Sequence, residues 1–276
     1  MTYKRSIIIS TAVLAVLLGI LSAGTLDYRI SVAMVDKSSV FGKFFRNIGE
    51  LPAVFGMFLG VVILYGARRR VVMWKNILSS VIAIPFMLLF SYSVFFMPVR
   101  YIYEHTEGGI PSAVKYIIYA LTLILFIAAV IIINRQKPEK VRKYRNAGLV
   151  LLILIFTELV LVNIVKILWA RPRMRSIQSI DQFKYWYQIN GPSVNEELKS
   201  FPSGHVANAF TILAYSLFIP KNKPAMKKWF IAFALLWGTL VAVSRIVIGA
   251  HFFSDVVAAG YITTLLFYLI RNKFAD

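Results

Sequence analysis

Read for apolar and polar positions, the chain breaks into eight apolar stretches near the ~17–25 residues that a helix needs to cross bilayer hydrocarbon. They fall at about 6–26, 51–67, 77–97, 114–133, 147–169, 202–220, 229–249 and 255–270, the second and last being short. Lys4 and Arg5 precede the first stretch as they would a signal peptide. Its apolar run is long and no cleavage site follows, so it reads as an uncleaved anchor. The pattern predicts an all-α, polytopic membrane helical bundle of about eight transmembrane helices, within a range of six to eight.

Composition supports that class: 59% of the 276 residues are hydrophobic and 16% charged, and mean hydropathy is +0.71. Without cysteine there is no disulfide, thiolate catalysis or cysteine-ligated metal. A net charge of +19 raises nucleic acid as a partner, but the basic residues are dispersed between apolar stretches, so none is expected. Their distribution fits loop charges that orient a membrane protein. With the N-terminus cytoplasmic, the inner segments collect Lys4 and Arg5; Arg68, Arg69, Arg70 and Lys75; and six more between Arg135 and Arg145. Lys221, Lys223, Lys227, Lys228, Arg271 and Lys273 bring the total to 18 of 31. Both termini are then cytoplasmic. No repeat or low-complexity linker is evident, so 1–276 is expected to be a single integral-membrane domain.

Two outward segments are long enough to hold structure. In 27–50, "SVFGKFFRNIGE" predicts an interfacial amphipathic helix, and in 170–201, "FKYWYQ" is an aromatic cluster suited to the headgroup level. His105, between the third and fourth stretches, reads as an exposed loop histidine. Glu158 and Asn163 read as helix–helix hydrogen-bonding residues.

Three polar clusters fall on the predicted outer side. "KILWARPRM" ends the fifth stretch, "SFPSGH" opens the sixth, and "SRIVIGAHFFSD" links the seventh to the eighth. Ionisable groups in apolar surroundings are costly, so they mark working sites. Ser203 and Gly204, after Pro202, offer backbone N–H groups at a helix start, which attract anions. Lys166, Arg173 and Arg245 add full positive charge, and the arginine fork matches phosphate. His251 and Asp255 are four apart; an aspartate on one ring nitrogen orients the imidazole, and the other nitrogen is free to attack phosphorus. His205 is the candidate to protonate the leaving oxygen. Acidic residues do not cluster near the histidines, so neither metal nor cofactor is expected.

Lys166, Arg173, the Pro202–His205 tetrapeptide, Ser244-Arg245, His251 and Asp255 together resemble the three-part signature of the type 2 phosphatidic acid phosphatase superfamily. That superfamily includes membrane lipid phosphatases, bacterial acid phosphatases and vanadium haloperoxidases. The second and third parts match in full. The first has Arg173-Met174 where the family usually has Arg-Pro, while Arg171-Pro172 lies two residues earlier. Arg171 therefore competes with Arg173 for phosphate, and the spacing from Lys166 favours Arg173. The signature spans 166–255, within a catalytic core of about 147–270. Many bacterial membrane members have six spans, so a count of eight either adds two helices or overcounts.

The resemblance implies catalytic His251, His205 and Asp255, with phosphate held by Lys166, Arg173, Ser203, Gly204 and Arg245. It implies an integral-membrane lipid phosphatase of a bacterial cell membrane, its site facing outside. The reaction would be metal-independent, through a phosphohistidine. Undecaprenyl diphosphate, phosphatidylglycerol phosphate and phosphatidic acid all fit as substrate. The expected partners are that lipid phosphate and the bilayer, with no protein partner implied. Alternatives are a lipid phosphotransferase using the same pocket, a vanadate-dependent peroxidase, and a non-catalytic phospholipid-binding membrane protein.

Overall fold

In a computed structural model, residues 3–68, 72–104 and 106–274 are described; Arg69, Arg70 and His105 lie outside them. The chain is all-α. Its elements run α1 (Tyr3–Leu21), α2 (Leu26–Ala33), α3 (Val40–Ile48), α4 (Leu51–Gly66), α5 (Met73–Ile102), α6 (Ser112–Arg135), α7 (Pro138–Arg142) and α8 (Arg145–Trp169). They continue with α9 (Gly204–Phe210), a 3-10 helix over Thr211–Phe218, α10 (Pro224–Val247) and α11 (Phe253–Phe274).

Among the described residues six helical segments are long and apolar enough to cross a membrane: Val40–Gly66, Met73–Ile102, Ser112–Arg135, Arg145–Ser176, Pro224–Val247 and Phe253–Phe274. A seventh is reached if the bent pair Ile7–Leu21 and Leu26–Ala33, which turns by 85°, is one span. The count of eight is thus reduced at two places. The first apolar stretch breaks after Leu21, where "SAGT" offers helix-ending residues. The sixth is a seven-residue α-helix followed by an eight-residue 3-10 helix. Apolar residues fill most of its positions, which hides a change of helix type from the sequence pattern. Large apolar side chains stay exposed along these helices: on α6, Tyr116, Ile117, Ile124 and Ile132 are each more than half exposed. Such a surface suits lipid rather than water.

The chain forms two compact units. The first comprises Met1–Gly49, Thr157–Phe210 and Leu235–Leu266. Its core gathers Phe45, Val162, Val206, Val241, Ile246 and Val256, and a smaller cluster joins Met174, Phe183 and Phe252. The second comprises Glu50–Phe156, Thr211–Ala234 and Phe267–Asp276; in it α4 packs on α5 and α5 on α6 around Phe58, Tyr65, Met87 and Ile133.

The segment 27–50 holds a helix over "VFGKFFRNI", started by Ser39, whose hydroxyl accepts from the Gly42 amide at 3.2 Å. Asn163, expected to bond to a neighbouring helix, instead donates to Leu159 of its own helix at 2.7 Å. Glu158 is buried.

Candidate active site

Every residue of the three polar clusters named as a site candidate belongs to the first unit. Lys166 is in the last turn of α8, Arg245 in the last turn of α10 and Asp255 in the first turn of α11. Cations thus stand at carbonyl ends and the carboxylate at an amide end, as helix dipoles favour. Between α10 and α11 the chain reverses at Gly249, whose φ of +69° is one a side chain would strain. The amides of Ala250 and His251 close that turn on the Arg245 carbonyl at 3.0 and 3.3 Å. Spacing in sequence thereby becomes a fixed orientation of the imidazole.

Asp255 is the hub. Its Oδ2 accepts from the Ser200 hydroxyl at 2.6 Å and the Phe252 amide at 2.9 Å, and faces Nδ1 of His251 at 3.5 Å. Its Oδ1 accepts from the Arg171 guanidinium at 2.5 Å. The remaining Arg171 donors reach the Ser254 hydroxyl at 2.8 Å, the Lys184 carbonyl at 2.8 Å and Asp27 at 2.9 Å. The guanidinium lies 4.4 Å from the Phe252 ring centroid and is fully buried. Arg171 therefore sits between two carboxylates and makes four hydrogen bonds to protein acceptors.

Asp27 closes the network and is 1% exposed. Besides Arg171, it accepts from the Ser254 amide at 2.9 Å and the Ser254 hydroxyl at 2.5 Å, while the Ser31 hydroxyl takes the Phe253 amide at 2.9 Å. Two residues of α2 thus satisfy amides at the start of α11 that a helix leaves open. Sequence reasoning missed Asp27, Ser31, Ser200 and Ser254. Ser200 stood inside a quoted motif, but nothing distinguished Asp27 from an ordinary interfacial carboxylate.

The opposite wall comes from α9. Nζ of Lys166 lies 3.1 Å from where a Cβ would stand on Gly204, so the absent side chain makes room for the ammonium. The titratable groups acting on His205 are Arg245, His251, Lys166 and Arg173; those acting on His251 include Arg173, Asp255 and Arg245. The clusters therefore converge. Arg173 is oriented by the turn at Glu196–Leu198: its Nε donates to the Glu196 carbonyl at 2.8 Å, and its amide to the Glu197 carbonyl at 2.8 Å. The Ser203 amide, expected to face an anion, donates instead to the Asp255 carbonyl at 3.1 Å. That leaves its buried hydroxyl as the group of Ser203 open to a ligand.

His251 is 1% exposed. Burial, then the charges of Arg173 and Arg245, hold its imidazole down to about 3 against the upward pull of the Asp255 hydrogen bond. It is neutral at neutral pH, the form with a lone pair for attack. The aromatic segment expected at the headgroup level partly turns inward. Phe183 is buried against Phe252, with ring centroids 5.2 Å apart, and Trp186 donates to Ser22 at 2.8 Å. The Phe183 and Phe252 rings wall in the Arg171 guanidinium, whereas Tyr187 is exposed. Among the described residues no group of three or more His, Asp or Glu is arranged to hold a metal.

The buried His251–Asp255 pair, His205 and three cations thus gather in one unit, and residues 146–276 match the model of the PAP2 superfamily. The chain is similar to phosphatidylglycerophosphatase B of Bacillus subtilis (strain 168), 37% identical over 87 residues. That match covers 29% of this chain and 42% of the relative, so it spans less than half of the relative's length. No solved structure matches.

Proposed function

We propose that the protein is an integral-membrane lipid phosphatase acting through a phosphohistidine. One observation carries the reading: His251 presents Nδ1 to Asp255 at 3.5 Å, directing Nε2 away from the carboxylate, and Arg173 and Arg245 act on the same ring. The 3.5 Å separation is long for a hydrogen bond, and such contacts often tighten when substrate binds.

In the proposed reaction, Lys166, Arg173 and Arg245 neutralise the phosphate oxygens, with the Ser203 hydroxyl and Gly204 amide assisting. Nε2 of His251 attacks phosphorus. As the N–P bond forms, the P–O bond to the lipid breaks, and His205, which burial and the cations hold neutral until the anionic phosphate binds and brings a proton to it, gives that proton to the leaving oxygen. Water then attacks the phosphohistidine, its proton passes to His205, and the N–P bond breaks to release inorganic phosphate. Three cations supply the charge neutralisation that metal ions give elsewhere, so the reaction proceeds without metal. Arg171 acts as a positioning residue, holding Asp255, rather than as a phosphate ligand.

The distribution of Lys and Arg supports a site on the extracytoplasmic face of a cell membrane with both termini cytoplasmic, an arrangement in which the bent first stretch and the short Gly204–Phe218 segment also cross. Phosphatidylglycerol phosphate is the first substrate to test because of the relative's activity; undecaprenyl diphosphate and phosphatidic acid follow. The experiment is phosphate release from this panel by detergent-purified protein, with and without chelator. Activity that withstands chelator and is abolished in a folded His251→Ala variant is expected. Full activity in that variant overturns the nucleophile, and loss on chelation with recovery on added metal overturns the metal-free reaction. Transfer of the phosphoryl group to added alcohols would make the protein a transferase.

A further inference from the structure

The second unit holds a cavity of about 310 Å³ lined by Lys143, Lys221, Lys227 and Arg271, together with Asn146. Lys143 and Asn146 flank the start of α8. Lys221 and Lys227 flank the start of α10, and Arg271 is in the last turn of α11. These are the helix ends remote in sequence from Lys166, Arg245 and Asp255. None of the lining residues is acidic. Arg271 and Lys221 both act on Lys227, so like charges gather where nothing in the lining offsets them.

The charge bias that orients membrane proteins explains why basic residues occur in these segments, but it does not require them to converge. Lys137, Lys140, Lys223, Lys228 and Lys273 belong to the same segments and do not line the cavity. Its remaining wall is apolar and includes Val150 and Leu217. A free phosphate would leave that wall wet, whereas a lipid headgroup covers it with the glycerol and the first methylenes of its chains. Basic pockets between membrane helices recognise anionic headgroups in this way.

We propose that this cavity binds the phosphate of an anionic glycerophospholipid as a site separate from the catalytic one. It does not rest on the proposed phosphatase activity. The probe is phosphatidylglycerol, with phosphatidylcholine as the zwitterionic control, titrated onto the full-length detergent-purified protein and read by native mass spectrometry. Arg245→Met serves as a variant of the other phosphate-binding region.

Phosphatidylglycerol is expected to be retained over phosphatidylcholine. Lys221→Gln/Lys227→Gln should weaken retention by about tenfold or more, roughly fivefold for each charge removed. Arg245→Met should leave it in place, millimolar inorganic phosphate should not displace it, and phosphate release from a soluble short-chain substrate should be unchanged in the double variant. Because the variant removes like-charge repulsion, its lipid-free thermal unfolding should occur no lower than that of the wild type, which a structural role for these lysines would not give. If the double variant fails to fold, Lys221→Gln and Arg271→Gln are read singly. Equal retention in variant and wild type, equal binding of the two lipids, or displacement by phosphate overturns the proposal.

Discussion

Asp27→Asn tests whether the charge network behind Asp255 sets the activity of His251. The substitution keeps shape but removes one of the two carboxylates around Arg171 and turns an amide group toward its donors. Asp27 accepts three hydrogen bonds, from Arg171 and twice from Ser254, at 1% exposure. Breaking a buried ion pair costs about 3–5 kcal/mol when the surviving charge is left alone. Here Arg171 retains Asp255 at 2.5 Å, so the loss is nearer one charge-assisted bond, about 2–3 kcal/mol. On activity, Asp255 becomes the only carboxylate on Arg171. Negative charge shifts toward Oδ1, and Oδ2, which faces His251, loses basicity. A loss of about 1.4–2.8 kcal/mol in transition-state stabilisation lowers kcat by roughly 10–100-fold. Because Lys166, Arg173 and Arg245 are untouched, KM should stay within about threefold. Steady-state kinetics and thermal unfolding in the same detergent give both readouts. Wild-type kcat with reduced stability would leave Asp27 a structural role only, and an unchanged protein on both measures would refute the reasoning.

His205→Ala should lower release from a monoester by roughly 10²–10⁴-fold. The loss should be much smaller for a diphosphate, whose leaving group needs less protonation; equal losses on both would remove His205 from the general-acid role. The pH dependence of stability follows from His251. Its folded value of about 3 lies below the ordinary 6.5, so between those values the unfolded chain binds a proton that the folded chain does not. Stability should therefore fall as pH drops from about 6.5 toward 3, at no more than roughly 1.4 kcal/mol per pH unit from this group. In His251→Asn that part of the decline should vanish, and an identical acid limb in thermal unfolding would refute the assignment.

The sequence made the membrane class legible because apolar length is a one-dimensional property, and six of the eight predicted stretches are helices of spanning length among the described residues. Helix type and bends were less legible: Thr211–Phe218 is as apolar as an α-helical span, yet it is 3-10. The site divides in the same way. Lys166, Gly204, His205, Arg245, His251 and Asp255 stand in short motifs whose spacing carries chemistry. Asp27 has no such spacing, being more than 200 residues from Ser254, to which it bonds. Arg171 was visible as a rival to Arg173, but only the fold separates them. Arg171 is enclosed by carboxylates and aromatic rings, whereas Arg173 keeps a 12% exposed side chain and acts on both histidines.

That separation bears on the chemistry. A phosphate site needs positive charge facing the ligand, yet the histidine needs negative charge behind it, and an apolar interior penalises either sign left alone. Placing Arg171 between Asp27 and Asp255 leaves the buried trio with one net negative charge. In the proposed reaction this charge lies behind His251, while Lys166, Arg173 and Arg245 belong to the phosphate side. Removing Arg171 would then raise the negative charge behind His251 but leave two carboxylates buried without their cation, so Asp255 should take up a proton and cease to orient the ring. Arg171→Met is for this reason expected to behave as a catalytic defect like Asp255→Asn, with kcat falling far more than substrate affinity. An affinity loss with kcat preserved would instead return Arg171 to the phosphate side of the site.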